Sequence, residues 1–260
     1  MNLLQYNKLN VIMKVDARRF NMRKLNICNY EFVAYKEEDI NIVFSTSKNN
    51  LNFNKRTKEG KNNLDSLKKI FKLNEVIYLN QIHSDIVRIY ENDNITDLDG
   101  DGIITSKNKS AIGVFTADCV PVIIIDNKKK VIAAVHSGWK GTFNLIVTKT
   151  IEKIIDKYHC DEKDLKIYIG PHNRQCCYEV SEDLIEKFKT LHIYRDENIN
   201  NGRYLNLEEC IKVQLAKFNI KKDNIYSTNI CTYCNSEYEL YSYRKEYEKE
   251  GRLFSFVYIE

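Results

Sequence analysis

This sequence has few of the features that mark several large classes of protein. No apolar run approaches the roughly 20 residues that a membrane-spanning helix needs. Residues 1–19 alternate apolar with polar side chains and have no apolar core of the kind found in a secretory signal. The 40 basic residues exceed the 36 acidic ones by only four, and they form no long basic stretch of the kind that marks a nucleic-acid groove. We therefore expect a cytoplasmic protein with neither a membrane nor a nucleic acid as its partner.

Histidine and proline are also scarce, whereas cysteine is not. The chain contains five histidines, two prolines and eight cysteines. Because no secretory segment is expected, we expect the cysteines to be reduced and to serve as core residues or metal ligands. With so few histidines, the two that lie at the ends of predicted strands stand out.

The length and the composition favour one large domain. An apolar fraction of 43% over 260 residues supplies a sizeable core without disulfides. No repeat or linker divides the chain, so we predict a single domain over residues 1–260. Runs rich in apolar and β-branched side chains, bounded by turn residues, predict strands at residues 75–79, 86–90, 111–115, 120–125, 131–135 and 253–259.

Helical periodicity appears mainly in the later part of the chain. Apolar residues recur at helical spacing over residues 142–158, Ser181 is a good N-cap for a second helix, and Asn206 with Glu209 resembles a capping box that opens a third. Residues 48–63, rich in Asn and Lys, predict a long loop. Strands dominate the middle and helices follow, so the predicted class is α+β, with mixed β-sheets flanked by helices in layers.

Two histidines and one cysteine lie at the ends of predicted strands. His83 follows one strand, His136 ends another, and Cys119 lies at the break before a buried strand. Strand ends can converge at one edge of a sheet, and two imidazoles with a thiolate suit zinc, leaving the fourth tetrahedral position open for water. No HExxH or paired CxxC signature accompanies them, and a single histidine or cysteine at such a position is more often structural. The pattern alone leaves a zinc site and a structural role open.

Several short motifs, taken together, make the sequence similar to a known family. They are NQIH at residues 80–83, residues 99–105, ADCVP at 117–121, AVHSGWKG at 134–141, IGP at 169–171, CYEV at 177–180, CT at 231–232 and YSYR at 241–244. With these motifs the chain resembles the family described as laccase-domain proteins, polyphenol oxidases or peptidoglycan-editing factors. The better-supported enzymology of that family is that of a zinc-dependent purine nucleoside phosphorylase with adenosine deaminase activity. The resemblance covers the chain from about residue 44 to its C-terminus.

The resemblance implies a site and a fold. It assigns the metal ligands to His83, Cys119 and His136 and the cofactor to zinc, with copper as the less favoured metal. It implies purine nucleosides (adenosine, inosine and methylthioadenosine) and phosphate as substrates. The implied fold is one that this family shares with cysteine deamidase toxins.

Four polar residues near these motifs are further candidates. Asp118 is the candidate catalytic residue, because a carboxylate beside the metal cysteine is placed to orient a ligand or to move a proton. A carboxylate that satisfies backbone amides in a tight turn is an equal alternative for Asp118. Gln81, Lys140 and Arg244 are the candidate substrate-binding residues, and Arg244 is the best candidate for binding an anion.

Two positions depart from the family pattern. Members usually carry an arginine and two glycines after Ser-Thr, where this chain has SKNN at residues 47–50. Phosphate binding by that loop would then fall to Lys48 or Arg56. Lys140 stands where arginine is common, and lysine offers a point charge instead of a bidentate fork.

Three other functions are left open by the residues. A metal-free cysteine hydrolase or amidase would use Cys119 as nucleophile and His136 or His83 as base. A copper-dependent phenol oxidase with several copper ions would need many more histidines than five. A cell-wall maintenance factor acting on peptidoglycan precursors would show a phenotype without turnover of nucleosides.

The remaining cysteines include two close pairs. Cys231 and Cys234 form a CxxC, and Cys176 is adjacent to Cys177. Because a lone CxxC supplies only half of a tetrahedral site, we interpret these residues as structural or pocket-lining thiols. A redox pair or a second zinc site is the alternative. His172, which has polar neighbours, is expected at the surface, and a position in the pocket is the alternative because it follows the motif at residues 169–171.

Overall fold

The chain folds around two mixed six-stranded β-sheets, as seen in a computed structural model that describes residues 22–91, 93, 95–246 and 251–260. The expectation for residues 1–19 lies outside this range, and the prediction of one domain over residues 1–260 extends beyond it. The strands, in chain order, are β1 Arg23–Ile27, β2 Tyr30–Glu37, β3 Ile40–Ser45, β4 Glu75–Ile77, β5 Val87–Ile89, β6 Gly102–Thr105, β7 Ser110–Thr116, β8 Val120–Asp126, β9 Val131–Ser137, β10 Leu165–Ile169, β11 Asn200–Asn201, β12 Tyr204–Leu205, β13 Ile225–Ser227 and β14 Leu253–Ile259. The helices are α1 Lys58–Ile70, α2 Trp139–Phe143, α3 Ile146–Tyr158, α4 Glu182–Thr190, α5 Leu207–Leu215 and α6 Tyr243–Glu246. Within the described ranges, no helix combines the length and the apolar character needed to cross a bilayer.

The two large sheets combine antiparallel and parallel pairing. The first has the strand order β1-β2-β3-β14-β7-β4, and the second has the order β13-β10-β8-β9-β6-β5. The pairs β4–β7, β5–β6 and β10–β13 are parallel, whereas the other neighbours are antiparallel. The predicted α+β class, with mixed sheets flanked by helices, is confirmed.

Three apolar clusters connect the layers. Helix α1 packs its Leu64 and Leu67 against the outer face of the first sheet. The facing sides of the two sheets form a second cluster, and helices α3, α4 and α5 cover the outer face of the second sheet in a third. Strand β8 is continuously apolar because both of its faces are buried. Val122 and Ile124 face the helices, while Ile123 and Ile125 face the other sheet.

The strands predicted from the sequence are all present, with small changes at their ends. The prediction of residues 253–259 agrees with β14 at both bounds. The helix predicted over residues 142–158 is divided in two, since α2 ends at Phe143 and α3 begins at Ile146. The division occurs at Leu145, whose φ of 61° lies in the left-handed region and interrupts the helix.

The loop predicted over residues 48–63 is wrong in its second half. Helix α1 begins at Lys58, and the hydroxyl of Thr57 caps it by accepting a hydrogen bond from the backbone N–H of Gly60. The Asn- and Lys-rich composition of this segment obscured an amphipathic helix whose buried face is formed mainly by later residues. The capping box predicted for Asn206 and Glu209 is confirmed in one half, because the Asn206 side chain accepts from the N–H of Glu209 while the N–H of Asn206 donates to the carbonyl of Ile199. Ser181 precedes α4 as predicted but makes no capping hydrogen bond with its side chain.

Candidate metal centre

The central hairpin of the second sheet places Cys119 beside His136. In this hairpin Val120 of β8 pairs with Ser137 of β9, and Pro121 pairs with His136. Because Cys119 comes directly before Val120, it emerges at the same end of the sheet as His136. The register of one antiparallel pair therefore brings together two residues that are 17 positions apart in the sequence.

His83 reaches the same point through a loop that a buried carboxylate organises. Asp101, just before β6, accepts hydrogen bonds from the backbone N–H groups of His83 at 3.1 Å and Ser84 at 2.6 Å. The hydroxyl of Ser84 donates to the same carboxylate at 2.7 Å. His83 has a φ of 57°, a left-handed conformation that costs a non-glycine residue about 1 to 3 kcal/mol. The hydrogen bonds to Asp101 hold the loop in this conformation.

The three side chains present their donor atoms to one another. The Nε2 atom of His83 lies 3.9 Å from the Sγ atom of Cys119. The ring centroids of His83 and His136 are 4.9 Å apart, with the rings inclined at 81°. One donor atom from each of the three residues lies within 4.8 Å of the other two. Around a tetrahedral zinc ion, with bonds of about 2.0 to 2.3 Å, the ligand atoms are about 3.3 to 3.8 Å apart, so only a small contraction is needed.

Asp101 also orients His136. Its Oδ1 atom lies 2.8 Å from Nδ1 of His136, and both side chains are buried. This contact leaves Nε2 of His136 for a metal, an arrangement common among metal-binding histidines. Burial raises the pKa of Asp101, but the hydrogen bonds and charge of His136 and the donors of Ser84 hold that pKa below its usual range.

The thiol and the imidazole of the pair Cys119 and His136 shift each other's pKa. Burial raises the pKa of Cys119, yet the charge of His136 and hydrogen bonds from both imidazoles lower it to about 6. Burial lowers the pKa of His136, yet the charge of Cys119 and the contacts with Asp101 raise it to about 9. Without a metal the pair therefore favours a thiolate beside an imidazolium, and the thiolate is the form that binds metals.

Gly138 makes room for these ligands. A Cβ atom at this position would lie 2.9 Å from Sγ of Cys119 and 3.1 Å from Cδ2 of His83. Position 138 therefore requires glycine, because the backbone there passes close to Cys119 and His83. The donor set, the carboxylate behind it and this close approach together fit a zinc ion held by three protein ligands with one position open.

The three donors lie in the wall of a cavity of about 740 Å³. Of the residues predicted to bind substrate or to act in catalysis, Gln81, Asp118 and Arg244 also line it. Lys140 does not belong to the lining; it is exposed on α2, with its ammonium group 5.6 Å from the centre of the Trp139 ring. The other aromatic and cationic residues of the lining are Lys55, Arg56, Phe115, Trp139, Tyr178, Tyr243 and Arg252.

The polar groups of Asp118 and Gln81 are already engaged by the protein. Asp118 accepts hydrogen bonds from the hydroxyl of Thr232 at 2.7 Å and from the backbone N–H of Arg244 at 2.8 Å. The amide of Gln81 donates to the carbonyl of Phe115 at 2.8 Å and accepts from its N–H at 2.6 Å. These contacts hold the walls of the cavity together, and a direct role of either residue in binding or catalysis stays a prediction.

The sequence reasoning did not identify Asp101 as part of the site. Asp101 lies in the segment DGDG at residues 99–102, a composition typical of turns, and the structure places this second aspartate at the centre of the ligand network. The signal available in the sequence was the position of this turn inside a family motif. Of the two substitutes named for the missing arginine, Arg56 lines the cavity, whereas Lys48 forms an ion pair with Glu31 elsewhere, at 3.2 Å.

The sequence of the chain matches known proteins over most of its length. The family model described as multi-copper polyphenol oxidoreductase laccase matches residues 42–260. A protein of Clostridium acetobutylicum named purine nucleoside phosphorylase is 44% identical over 237 residues, covering 91% of this chain and 98% of the relative. A protein of Borreliella burgdorferi with the same name is 34% identical over 227 residues, covering 85% of this chain and 93% of the relative.

Solved structures show the same fold at lower identity. The hypothetical protein YfiH of Bacillus licheniformis superposes with a TM-score of 0.80 at 23% identity, covering 88% of this chain and 96% of that one. YlmD of Geobacillus stearothermophilus superposes with a TM-score of 0.78 at 18% identity, covering 96% and 99%. From the match of the family model and the identity with its relatives, the chain belongs to the laccase-like polyphenol oxidoreductase family, several of whose members are named purine nucleoside phosphorylases.

Proposed function

We propose that this protein is a zinc-dependent purine nucleoside phosphorylase that also deaminates adenosine. The observation that carries the proposal is the convergence of His83, Cys119 and His136 in the wall of a cavity large enough for a nucleoside. The name shared by the relatives from Clostridium acetobutylicum and Borreliella burgdorferi supports purine nucleosides and phosphate as substrates. Zinc, when bound by these three residues, supplies a Lewis acid at the cavity wall.

The remaining lining residues suit the two parts of the substrate. The rings of Phe115, Trp139 and Tyr178 supply apolar surface against which a purine base packs. Arg56 and Arg244 supply positive charge for a phosphate dianion, which must lie against the anomeric carbon of the ribose during phosphorolysis. Negative charge develops on the departing purine, and donors in the same cavity stabilise it.

Arg244 is positioned rather than mobile. Its guanidinium carbon lies 5.1 Å from the centre of the Tyr178 ring, and one of its nitrogens donates to the backbone carbonyl of Glu179. Its backbone N–H donates to Asp118, the neighbour of the metal cysteine. An anion bound by Arg244 is therefore held at a set position relative to Cys119.

The test is product analysis with adenosine and inosine, with and without phosphate, combined with quantification of bound metal. The proposal expects hypoxanthine and ribose 1-phosphate from inosine only when phosphate is present, and inosine from adenosine without it. Zinc is expected at the candidate metal centre. Copper bound there instead would support the three ligands but contradict the proposed identity of the metal. Full activity in protein freed of metal by chelation would overturn the hypothesis that the enzyme depends on zinc.

A second function is favoured by one specific observation. Cys119, His136 and Asp101 form a row in which the thiol has a lowered pKa and the imidazole is held by a carboxylate at 2.8 Å. This is the arrangement of a cysteine nucleophile, its base and the group that orients the base. A metal-free hydrolase would keep its activity under chelation and lose it on alkylation of Cys119. Chelation therefore separates the two functions, because only the zinc enzyme needs a bound ion.

A further inference from the structure

Four cysteines outside the candidate metal centre come together in space. Cys176 and Cys177 lie in one turn, Cys231 and Cys234 lie in another, and their sulfur atoms are all within 4.8 Å of one another. The interpretation of these residues as isolated structural thiols rested on a lone CxxC supplying only half of a tetrahedral site. The adjacent pair supplies the other half, from a part of the chain about 55 residues earlier.

The spacing of the sulfurs suits a shared ion. The Sγ atoms of Cys176 and Cys234 are 3.6 Å apart, close to the separation of about 3.8 Å between two sulfurs bound to one zinc at about 2.3 Å. All four residues are free thiols in this structure. Four thiols gathered in this way are a donor set that selects zinc or another soft ion over magnesium or calcium.

Backbone hydrogen bonds join the two segments that carry the four cysteines. Cys231 bridges to His172 in parallel register, with the N–H of His172 donating to the carbonyl of Ile230 and the N–H of Thr232 donating to the carbonyl of His172. The N–H of Cys177 closes its own turn on the carbonyl of Arg174 at 2.9 Å. His172 is buried by this pairing, contrary to the surface position expected from the sequence.

Backbone N–H groups also point at one of the four sulfurs. Those of Arg174, Tyr233 and Cys234 donate to the sulfur of Cys231. Hydrogen bonds of this kind favour the thiolate, which is the form that binds a metal.

We propose that Cys176, Cys177, Cys231 and Cys234 form a second metal site that binds one zinc ion in a structural role. With four protein ligands, the site is closed and has no position for a substrate or a water. Each thiol loses its proton to the solvent as its sulfur–zinc bond forms, so no oxidant or reductant is required.

The position of this four-cysteine site indicates what the ion would stabilise. Cys177 directly precedes Tyr178, which lines the substrate cavity. Thr232, between the two cysteines of the CxxC, donates its hydroxyl to Asp118, the neighbour of Cys119. An ion at the four-cysteine site would therefore join two turns that form one wall of the cavity, without itself touching a substrate.

The first experiment counts zinc in the purified wild-type protein and in single and double variants. Wild-type protein is expected to hold two zinc ions per chain, Cys119→Ala one, and Cys119→Ala combined with Cys176→Ser or Cys234→Ser none. Cys176 and Cys234 are exposed, so their replacement by serine preserves packing. Cys28→Ser, at another exposed cysteine, is the matched control and is expected to keep both ions. The Cys119→Ala background makes this result independent of the proposed activity, because the open site is absent there.

The second experiment maps thiol protection and does not depend on any variant folding. Metal-free wild-type protein is incubated with or without zinc alone, alkylated with iodoacetamide and analysed by mass spectrometry of its peptides. The site is supported if one equivalent of zinc, beyond the equivalent needed to protect Cys119, protects the four cysteines from alkylation. Equal alkylation of Cys176 and Cys234 with and without zinc, or a disulfide between them in protein prepared with reductant, would overturn it.

Discussion

The two cysteine-containing clusters of this molecule differ in how their ligands are arranged. At the candidate metal centre, one thiol and two imidazoles stand at the edge of a cavity, and Asp101 supports them from behind. At the four-cysteine site, two backbone turns bring four thiols together and none of the four lines the cavity. An open ligand set leaves a position for chemistry, whereas a closed one can only hold structure together. The two proposed sites would therefore use cysteine differently, one to leave a position for a substrate or a water and the other to join two turns.

The largest effect that would separate the two clusters is expected from Cys119→Ala. Loss of this ligand should lower nucleoside turnover by more than about 100-fold. Replacing a residue that only supports a metal ligand costs up to about 100-fold, and a ligand itself should cost more. The far-ultraviolet circular dichroism of Cys119→Ala should match wild type, because the apolar core does not include this residue. Turnover at the wild-type rate would show that the chemistry does not depend on this ligand set.

Asp101→Asn tests whether the carboxylate behind the candidate metal centre contributes to metal binding and activity. The variant keeps the shape of the side chain but removes the charge that faces His136 and the amides of His83 and Ser84. We expect metal affinity or activity to fall by about 10- to 100-fold. Asp99→Asn, in the same turn, is the matched control, because Asp99 contacts Asn80 and none of the ligands. Equal losses in both variants, measured by zinc titration, would indicate a general effect on the turn.

A smaller effect on phosphate use is expected when cationic residues near the candidate metal centre are replaced. Arg244→Ala should raise the apparent phosphate requirement by about tenfold or more, since a charge-assisted hydrogen bond contributes about 1 to 3 kcal/mol. Lys140→Ala should change it little, because Lys140 is exposed and outside the cavity lining. The measurement is initial rate against phosphate concentration, with deamination of adenosine followed in parallel. A larger shift for Lys140→Ala would assign phosphate binding to Lys140 instead of Arg244.

The smallest effect concerns the pH at which Cys119 reacts in metal-free protein. Its pKa of about 6 predicts that the thiolate persists down to about pH 6 and is lost below it. Alkylation of Cys119 by iodoacetamide should therefore reach half its maximal rate near pH 6, where an unperturbed thiol would react slowly. The Cys119→Ala variant supplies the background rate of the other thiols. A midpoint near pH 8 to 9 would show that His136 does not stabilise the thiolate.

The parts of the fold that were predicted correctly are those whose signal is local. Strand β8 is almost entirely apolar, and β14 is flanked by charged and small residues, so both could be located from composition. Strand β2 contains two glutamates, a lysine and an alanine, residues with low strand propensity, and it was missed. Its hydrogen bonding with β1 and β3 decides its conformation, and that pairing is a property of the assembled sheet.

By itself, the sequence determined the chemistry of the ligands and the order of the motifs that carry them. His83, Cys119 and His136 could be singled out because each ends or precedes a strand, and strand ends are visible as changes in apolar pattern. Only the tertiary structure decided that Asp101 lies behind two of these residues and that Cys176 and Cys177 meet the CxxC at 231–234. These meetings depend on the register of β6 with β9 and on the bridge between His172 and Cys231, which are backbone hydrogen bonds between distant segments. Side-chain identity does not encode such pairing locally, because every residue offers the same N–H and carbonyl groups to its partner.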